Sequence, residues 1–388
     1  MTTTRDARAG DEPLPFTISL QDVFLTLGVI IFLIGAGLGI PLLSAAVPGL
    51  VDAGARATAA HLGVQSAVLL AVVAALSHVL VGVRRRSLPG IVLSIAFVGA
   101  VAGLYVAWAV ALTPSGMVSA ERWGDMASLE AAVTAVEADA SDETLRAAAR
   151  TAVGSVPLLA RLLFVGLPLT LLIAALGYYR AYRLPFATAL VASAGVALAS
   201  WVLLLVLPYD RVRLDPILTL GFGVVLLGAA IAYDARDPER TLRWSNNGFW
   251  LHLVAAPTLM SGALDVAAYG PSLDVVGLVN GEVGADRYTA GYAAVTLVVV
   301  ALLAVVSLLL NRRALVVAGL FSAGSAIGFL LYETGADGLV ITAVTLLILG
   351  GGVLLLGIGW HAARAALLAP LPAHGVWGRV FPRTGTDD

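Results

Sequence analysis

Apolar residues in this chain come in long uninterrupted runs, and nothing else in the sequence constrains its fold as strongly. Each run approaches the roughly 20 residues that a helix needs to cross a hydrocarbon core about 30 Å thick. Within such a core every backbone N–H and C=O has to be satisfied inside the chain, which leaves helices or a closed barrel. The runs are far too long for barrel strands and lack their alternation. The expectation is therefore an all-α polytopic transmembrane helical bundle. Composition agrees, with 59% hydrophobic and only 12% charged residues, against about 25% charged in soluble domains.

Ten spans are predicted, near 23–46, 59–82, 89–112, 156–178, 185–207, 214–234, 248–268, 289–310, 314–332 and 338–360. Arginine sets their orientation, since cytoplasmic loops carry the excess of positive charge. Alternate connections hold 15 arginines on one side, among them Arg84, Arg85, Arg86, Arg180, Arg183, Arg312 and Arg313, and 7 on the other. The prediction is N-in and C-in. The chain then divides into a cytoplasmic tail (1–22), spans one to three (23–112) and an extracytoplasmic insertion (113–155). Spans four to six (156–234), a cytoplasmic loop (235–247), spans seven to ten (248–360) and a cytoplasmic amphipathic tail (361–388) follow. The insertion reads as two amphipathic helices, Asp125 to Ala138 and Ser141 to Val153, with Asp125 and Ser141 as N-caps. It forms either a solvated helical hairpin or a lid over the outer face.

Three cytoplasmic turns repeat a pattern in which arginine is followed by a span of small residues ending in an aromatic: 85–105, 182–201 and 312–332. A duplicated hairpin unit produces this pattern, and so does common membrane grammar. A five-plus-five inverted repeat is disfavoured by unmatched loop lengths.

Several classes of chemistry are excluded. With no cysteine there are no disulfides, thiolate metal sites, iron–sulfur clusters or cysteine nucleophiles. With no lysine there is no Schiff base to retinal or pyridoxal phosphate. No basic cluster is large enough for nucleic acid, and hydrolase and nucleotide-binding patterns are absent. Acids fall in loops or near span ends, whereas ion-coupled carriers usually hold a carboxylate at depth.

One stretch, Asp234 to Gly262, gathers charge, amide, aromatic, histidine and proline at a membrane boundary. Asn246 or Asn247 is expected to cap the seventh span, Trp250 to sit at headgroup level, and His252 to follow about a turn and a half in. Pro257 is expected to kink the helix, one turn before Ser261 and Gly262. Two readings stay open. Asn246, Asn247, Trp250, His252, Pro257 and Ser261 line a ligand or translocation site, or they form an anchor, a cap and a satisfied kink. His78, His252 and His361 at similar depth make a metal or haem site conceivable, although no paired-histidine motif supports one. His61 and Gln65 share a face of the second span. Glycines of the first span (Gly35, Gly37, Gly39) and the last (Gly350, Gly351, Gly352, Gly357, Gly359) are expected to pack helices closely.

NNGFWLHLVAAP (246–257) resembles a signature of uncharacterised bacterial multi-pass inner-membrane proteins, of the form D-x-FWLHLLAAP. GIGWHAARAALLAPLP (357–372) is similar to their ending. Asn247 stands where that signature carries Asp. The resemblance covers about a tenth of the chain; it implies a similar topology in a prokaryotic inner membrane and no known activity. The function expected first is a non-enzymatic structural or accessory membrane component, without cofactor. A carrier or channel for a small solute or lipid, built on the seventh span, comes second, and an intramembrane cofactor protein third. The expected partners are the lipid bilayer and a membrane protein or a second copy of the chain.

Overall fold

The computed structural model describes residues 20–45, 55–112, 158–206, 215–237, 243–269, 290–372 and 375–381. The 113–155 insertion lies outside the described residues. All regular structure among them is helical: α1 (Leu20–Ala45), α2 (Ala55–Ser77), α3 (Ser87–Leu112), α4 (Leu158–Tyr182) and α5 (Ala187–Val206), then α6 (Asp215–Asp234), α7 (Arg243–Tyr269), α8 (Ala290–Leu310), α9 (Ala314–Tyr332), α10 (Gly338–Leu368) and the short α11 (Gly375–Val380). A π-helical turn, His78–Val83, extends α2.

Eight of these helices are long and apolar enough to cross a membrane. The apolar part of α5, Ala187–Leu203, is shorter, and α7 carries Arg243, Asn246, Asn247, His252 and Asp265. Buried hydroxyls within the helices bond back to carbonyls one turn earlier, as Thr26 does to Asp22, Thr258 to Val254 and Thr296 to Tyr292. This is how a hydroxyl is satisfied where water is absent.

The chain forms two compact units. The N-terminal unit holds α1 to α5. Val29, Val73, Val81 and Leu93 form one core cluster, and Tyr178, Leu184 and Ala187 another, with Phe97 and Tyr182 against it. Tyr105 donates its hydroxyl to the Leu163 carbonyl at 2.7 Å. Tyr178 donates to Ser77 at 3.2 Å where the π turn begins.

The C-terminal unit holds α6 to α11. Its tightest pair is the antiparallel hairpin α6–α7, in which three glycines let the backbones touch. A Cβ at Gly223 would lie 2.8 Å from the Leu259 backbone nitrogen, and one at Gly262 would lie 2.5 Å from Leu220 Cα. One at Gly248 would run into the Asp234 carboxylate and lie 3.2 Å from the Ala230 carbonyl oxygen. Close packing by small residues is therefore real but sits elsewhere than expected. Among the described residues, no neighbouring atom comes within 4 Å of a Cβ built at Gly35, Gly37, Gly39, Gly350, Gly351, Gly352, Gly357 or Gly359. These glycines lie on α1 and α10, whose apolar residues are mostly exposed, including Leu347, Leu355 and Ile358. Such surface needs lipid or protein against it rather than water.

The three repeated turns share a backbone device. Arg85, Arg183 and Asn311 each have left-handed φ, 51°, 50° and 52°. Each is the residue just past a helix end, where that conformation satisfies the last carbonyls. Around Asn311 the N–H of Arg312 reaches Ser307 O at 2.9 Å and that of Asn311 reaches Leu308 O at 3.1 Å. Around Arg183 a single bond closes on Tyr179 O at 2.7 Å. Around Arg85 the ring is wider, Arg86 N to Leu80 O, because the helix has loosened into the π turn.

The C-terminal end differs from expectation. The helix α10 continues to Leu368, so residues 361–368 belong to it rather than to a tail. Val380 and Phe381, at the end of α11, pack on the Ala256, Leu310 and Leu315 cluster.

Candidate functional site

The last residue of α6 is an aspartate, and the α6–α7 hairpin folds it inward. Asp234 is 8% exposed. Three helix ends converge on its carboxylate. Arg312, in the α8–α9 turn, donates Nε to Oδ2 at 2.9 Å and Nη2 to Oδ1 at 2.5 Å. His252, fully buried on α7, places Nε2 3.0 Å from Oδ2. Arg312 Nη2 also donates to the carbonyl of Ser245 at 3.1 Å and to its hydroxyl at 2.8 Å.

The electrostatics follow from these contacts. A two-point guanidinium–carboxylate pair is the strongest ion-pair geometry available to side chains. The carboxylate only accepts, so the shared proton sits on His252 Nε2. Nδ1 of His252 is buried and has no hydrogen-bond partner among the described residues. A histidine oriented by an aspartate is half of a nucleophile-activating set. No hydroxyl meets Nδ1, and Arg312 occupies both oxygens of Asp234. Among the described residues the cluster joins helices rather than presenting a nucleophile to His252.

The α8–α9 turn is held from its other side by α10. Trp360 donates Nε1 to Asn311 Oδ1 at 2.9 Å, and Arg313 lies over the Trp360 ring at 5.2 Å. Arg364, the largest fully buried side chain, donates Nε to the Leu308 carbonyl at 3.1 Å. Ser307 caps the turn by donating to the Arg312 carbonyl.

The structure places the residues singled out from the sequence on two faces of α7. Asn247 and His252 are fully buried toward the bundle. Pro257 and Ser261 are exposed, and Asn246 and Trp250 are half-buried. The helix starts at Arg243 and runs unbroken through Pro257 to Tyr269. Asn246 and Asn247 therefore lie within its first turns and do not cap it. The polar segment RWSNN is helical because it wraps the end of α6, where Trp244 stacks on Tyr233 at 5.6 Å and Ser245 meets Arg312. The connection between α6 and α7 is correspondingly shorter than the expected loop 235–247.

Of the other histidines, His361 is exposed on α10, and His78 is exposed at the π turn of the N-terminal unit. Among the described residues no three His, Cys, Asp or Glu side chains gather to hold a metal ion.

Sequence reasoning found His252 but not its partners. In the sequence Asp234 is only the charged start of the stretch and Arg312 only a turn arginine, and nothing singles out Ser245 or Gly248. The one local sign was an acid closing an apolar run, directly at the span end.

Fold and site together define an all-helical, multi-pass membrane protein. No protein-family model, no curated protein and no solved structure matches this chain.

Proposed function

We propose that this chain is a non-enzymatic, structural or accessory component of a prokaryotic inner membrane. In this reading it crosses ten times, with both ends cytoplasmic and the 113–155 insertion outside. The observation that carries the reading is the closed Asp234–Arg312–His252 cluster. In the stretch most suggestive of a site, Asp234 and His252 are engaged with Arg312 in joining α6, α7 and the α8–α9 turn. An intramembrane ionisable residue raises the expectation of function by default. Here the ionisable residues neutralise one another. The polar groups that a translocation path along α7 would need, His252 and Ser261, point to different faces.

The absence of native cysteine makes the test direct. Single cysteines at Val254, Thr258 and Ser261 are exposed to a membrane-impermeant maleimide from each side of sealed, oriented vesicles. The expected result is protection at all three in folded protein. Labelling along one helical face would mean that water reaches mid-membrane beside Pro257, and a carrier or channel would replace the accessory reading.

A further inference from the structure

The two units treat their arginines differently, and the difference marks a surface. In the C-terminal unit several described arginines are engaged: Arg312 with Asp234, Arg364 of α10 with Leu308, Arg313 over Trp360, and Arg236 over Tyr233 and Trp244. Among the described residues of the N-terminal unit, Arg86 pairs with Asp22, the only acid there. Arg84, Arg85, Arg180 and Arg183 are exposed. The guanidinium groups of Arg84, Arg85 and Arg180 make no hydrogen bond or ion pair with any described residue.

These four arginines belong to two turns packed side by side. Tyr182 at the end of α4 lies against Gly82 of the π turn, 3.4 Å from where a Cβ would be. Leu184 lies at the same distance from such a Cβ at Gly90. Tyr178 ties α4 to Ser77. The π turn and the left-handed Arg85 fix where Arg84 and Arg85 leave the helix end. The apolar spans end at Val83 and Tyr182 and resume at Ser87. The arginines therefore stand at the depth where hydrocarbon gives way to headgroups, with Tyr179 and Tyr182 at the same level, as interfacial aromatics do.

We propose that this end of the N-terminal unit binds the headgroup of an anionic phospholipid between the α2–α3 and α4–α5 turns. Three exposed guanidinium groups without an acidic partner among the described residues, those of Arg84, Arg85 and Arg180, beside a tyrosine shelf match a phosphodiester, which arginine engages with paired donors. Basic pockets between span ends recognise anionic lipids on this principle. The inference stands on burial and charge, and does not depend on the accessory role proposed above.

The test uses the full chain in nanodiscs of equal phosphatidylcholine and phosphatidylglycerol, with retained lipids weighed by native mass spectrometry. Wild-type protein is expected to retain phosphatidylglycerol in preference to phosphatidylcholine. The triple variant Arg84→Gln/Arg85→Gln/Arg180→Gln is expected to lose that preference, by roughly fivefold per arginine. The matching triple Lys variant keeps it in large part, and Arg236→Gln, which removes one charge from the other unit, leaves it unchanged. Equal retention of the two lipids by wild-type protein overturns the proposal, as does an unchanged preference in the Gln variant. If the Gln variant does not fold, a wild-type preference that rising salt leaves untouched overturns it equally.

Discussion

Two turns in this chain are built alike and stabilised differently. In the α2–α3 turn, left-handed Arg85 is followed by Arg86, which reaches Asp22 at 2.9 Å and Gln21 at 2.9 Å. In the α8–α9 turn, left-handed Asn311 is followed by Arg312, which reaches Asp234 by two bonds. Backbone device, arginine and aspartate correspond. The surroundings do not. Arg86 is 29% exposed at its side chain and Arg312 9%. The Arg312 pair also has His252 and Ser245 about it, so each buried charge is met on several sides. The two aspartates are equally buried, so the difference lies at the arginine: where the guanidinium is partly open, water and ions compete for it and the pair contributes less. A buried pair is costly to break, because removing one partner strands the other where water cannot reach it. The lesson is that one turn motif serves as a peripheral contact in one unit and as a joint in the other, and burial makes the difference.

The comparison breaks most visibly at Arg312. Arg312→Gln strands the Asp234 carboxylate and should lower stability by about 3–5 kcal/mol. Thermal unfolding in detergent, followed by intrinsic fluorescence, reads this as a large fall in midpoint or as loss of folded protein. A cost no greater than that of Arg86→Gln would mean that the buried joint is not one.

Next comes the glycine that lets α7 approach the aspartate. Gly248→Ala forces a methyl group against the Asp234 carboxylate and the Ala230 carbonyl, and should cost about 1–3 kcal/mol. Gly351→Ala, with no neighbouring atom to meet, should be neutral or slightly stabilising, since alanine favours helix by up to about 1 kcal/mol. Equal effects of the two in the same unfolding assay would contradict the close α6–α7 approach.

The smallest effect belongs to the half-buried pair. Arg86→Gln should cost about 0.5–1.5 kcal/mol, because the guanidinium is partly open to solvent, and added salt should diminish that. A loss comparable to that at Arg312 would show that the α2–α3 turn is buried in the working protein by something against it.

Much of the fold was legible in the sequence, because bilayer thickness and backbone hydrogen bonding are local constraints. The expected span 338–360 shares its start with α10, and 314–332 matches α9 from end to end. Misjudged ends came where polar residues are helical for tertiary reasons, as in Arg243 to Asn247, which wraps α6, and His361 to Leu368, which carries buried Arg364. The three repeated turns were visible as arginine followed by small residues, and the structure adds their shared left-handed residue. The insertion over 113–155 lies outside the described residues.

The candidate site was half legible. His252 stood out because a histidine inside an apolar run is conspicuous. Its partners did not, since Arg312 lies 78 residues beyond Asp234 and no local spacing relates them. The glycines misled for the same reason. Gly350 to Gly352 look like a packing face, but only the neighbours of a helix decide whether its small residues are approached.

By itself, then, the sequence determined that this chain is a helical bundle in a membrane, with turns rich in arginine and no thiol or lysine chemistry. Run length, charge and residue type act one segment at a time, and they suffice for that. Only the tertiary structure decided which arginines are joints and which remain open, which glycines are packed, and that the seventh helix begins early and continues unbroken past its proline. Those outcomes depend on which helix lies beside which. In a membrane, where apolar faces are at ease against lipid almost anywhere, that choice is made by a few close approaches and buried charges distant in sequence.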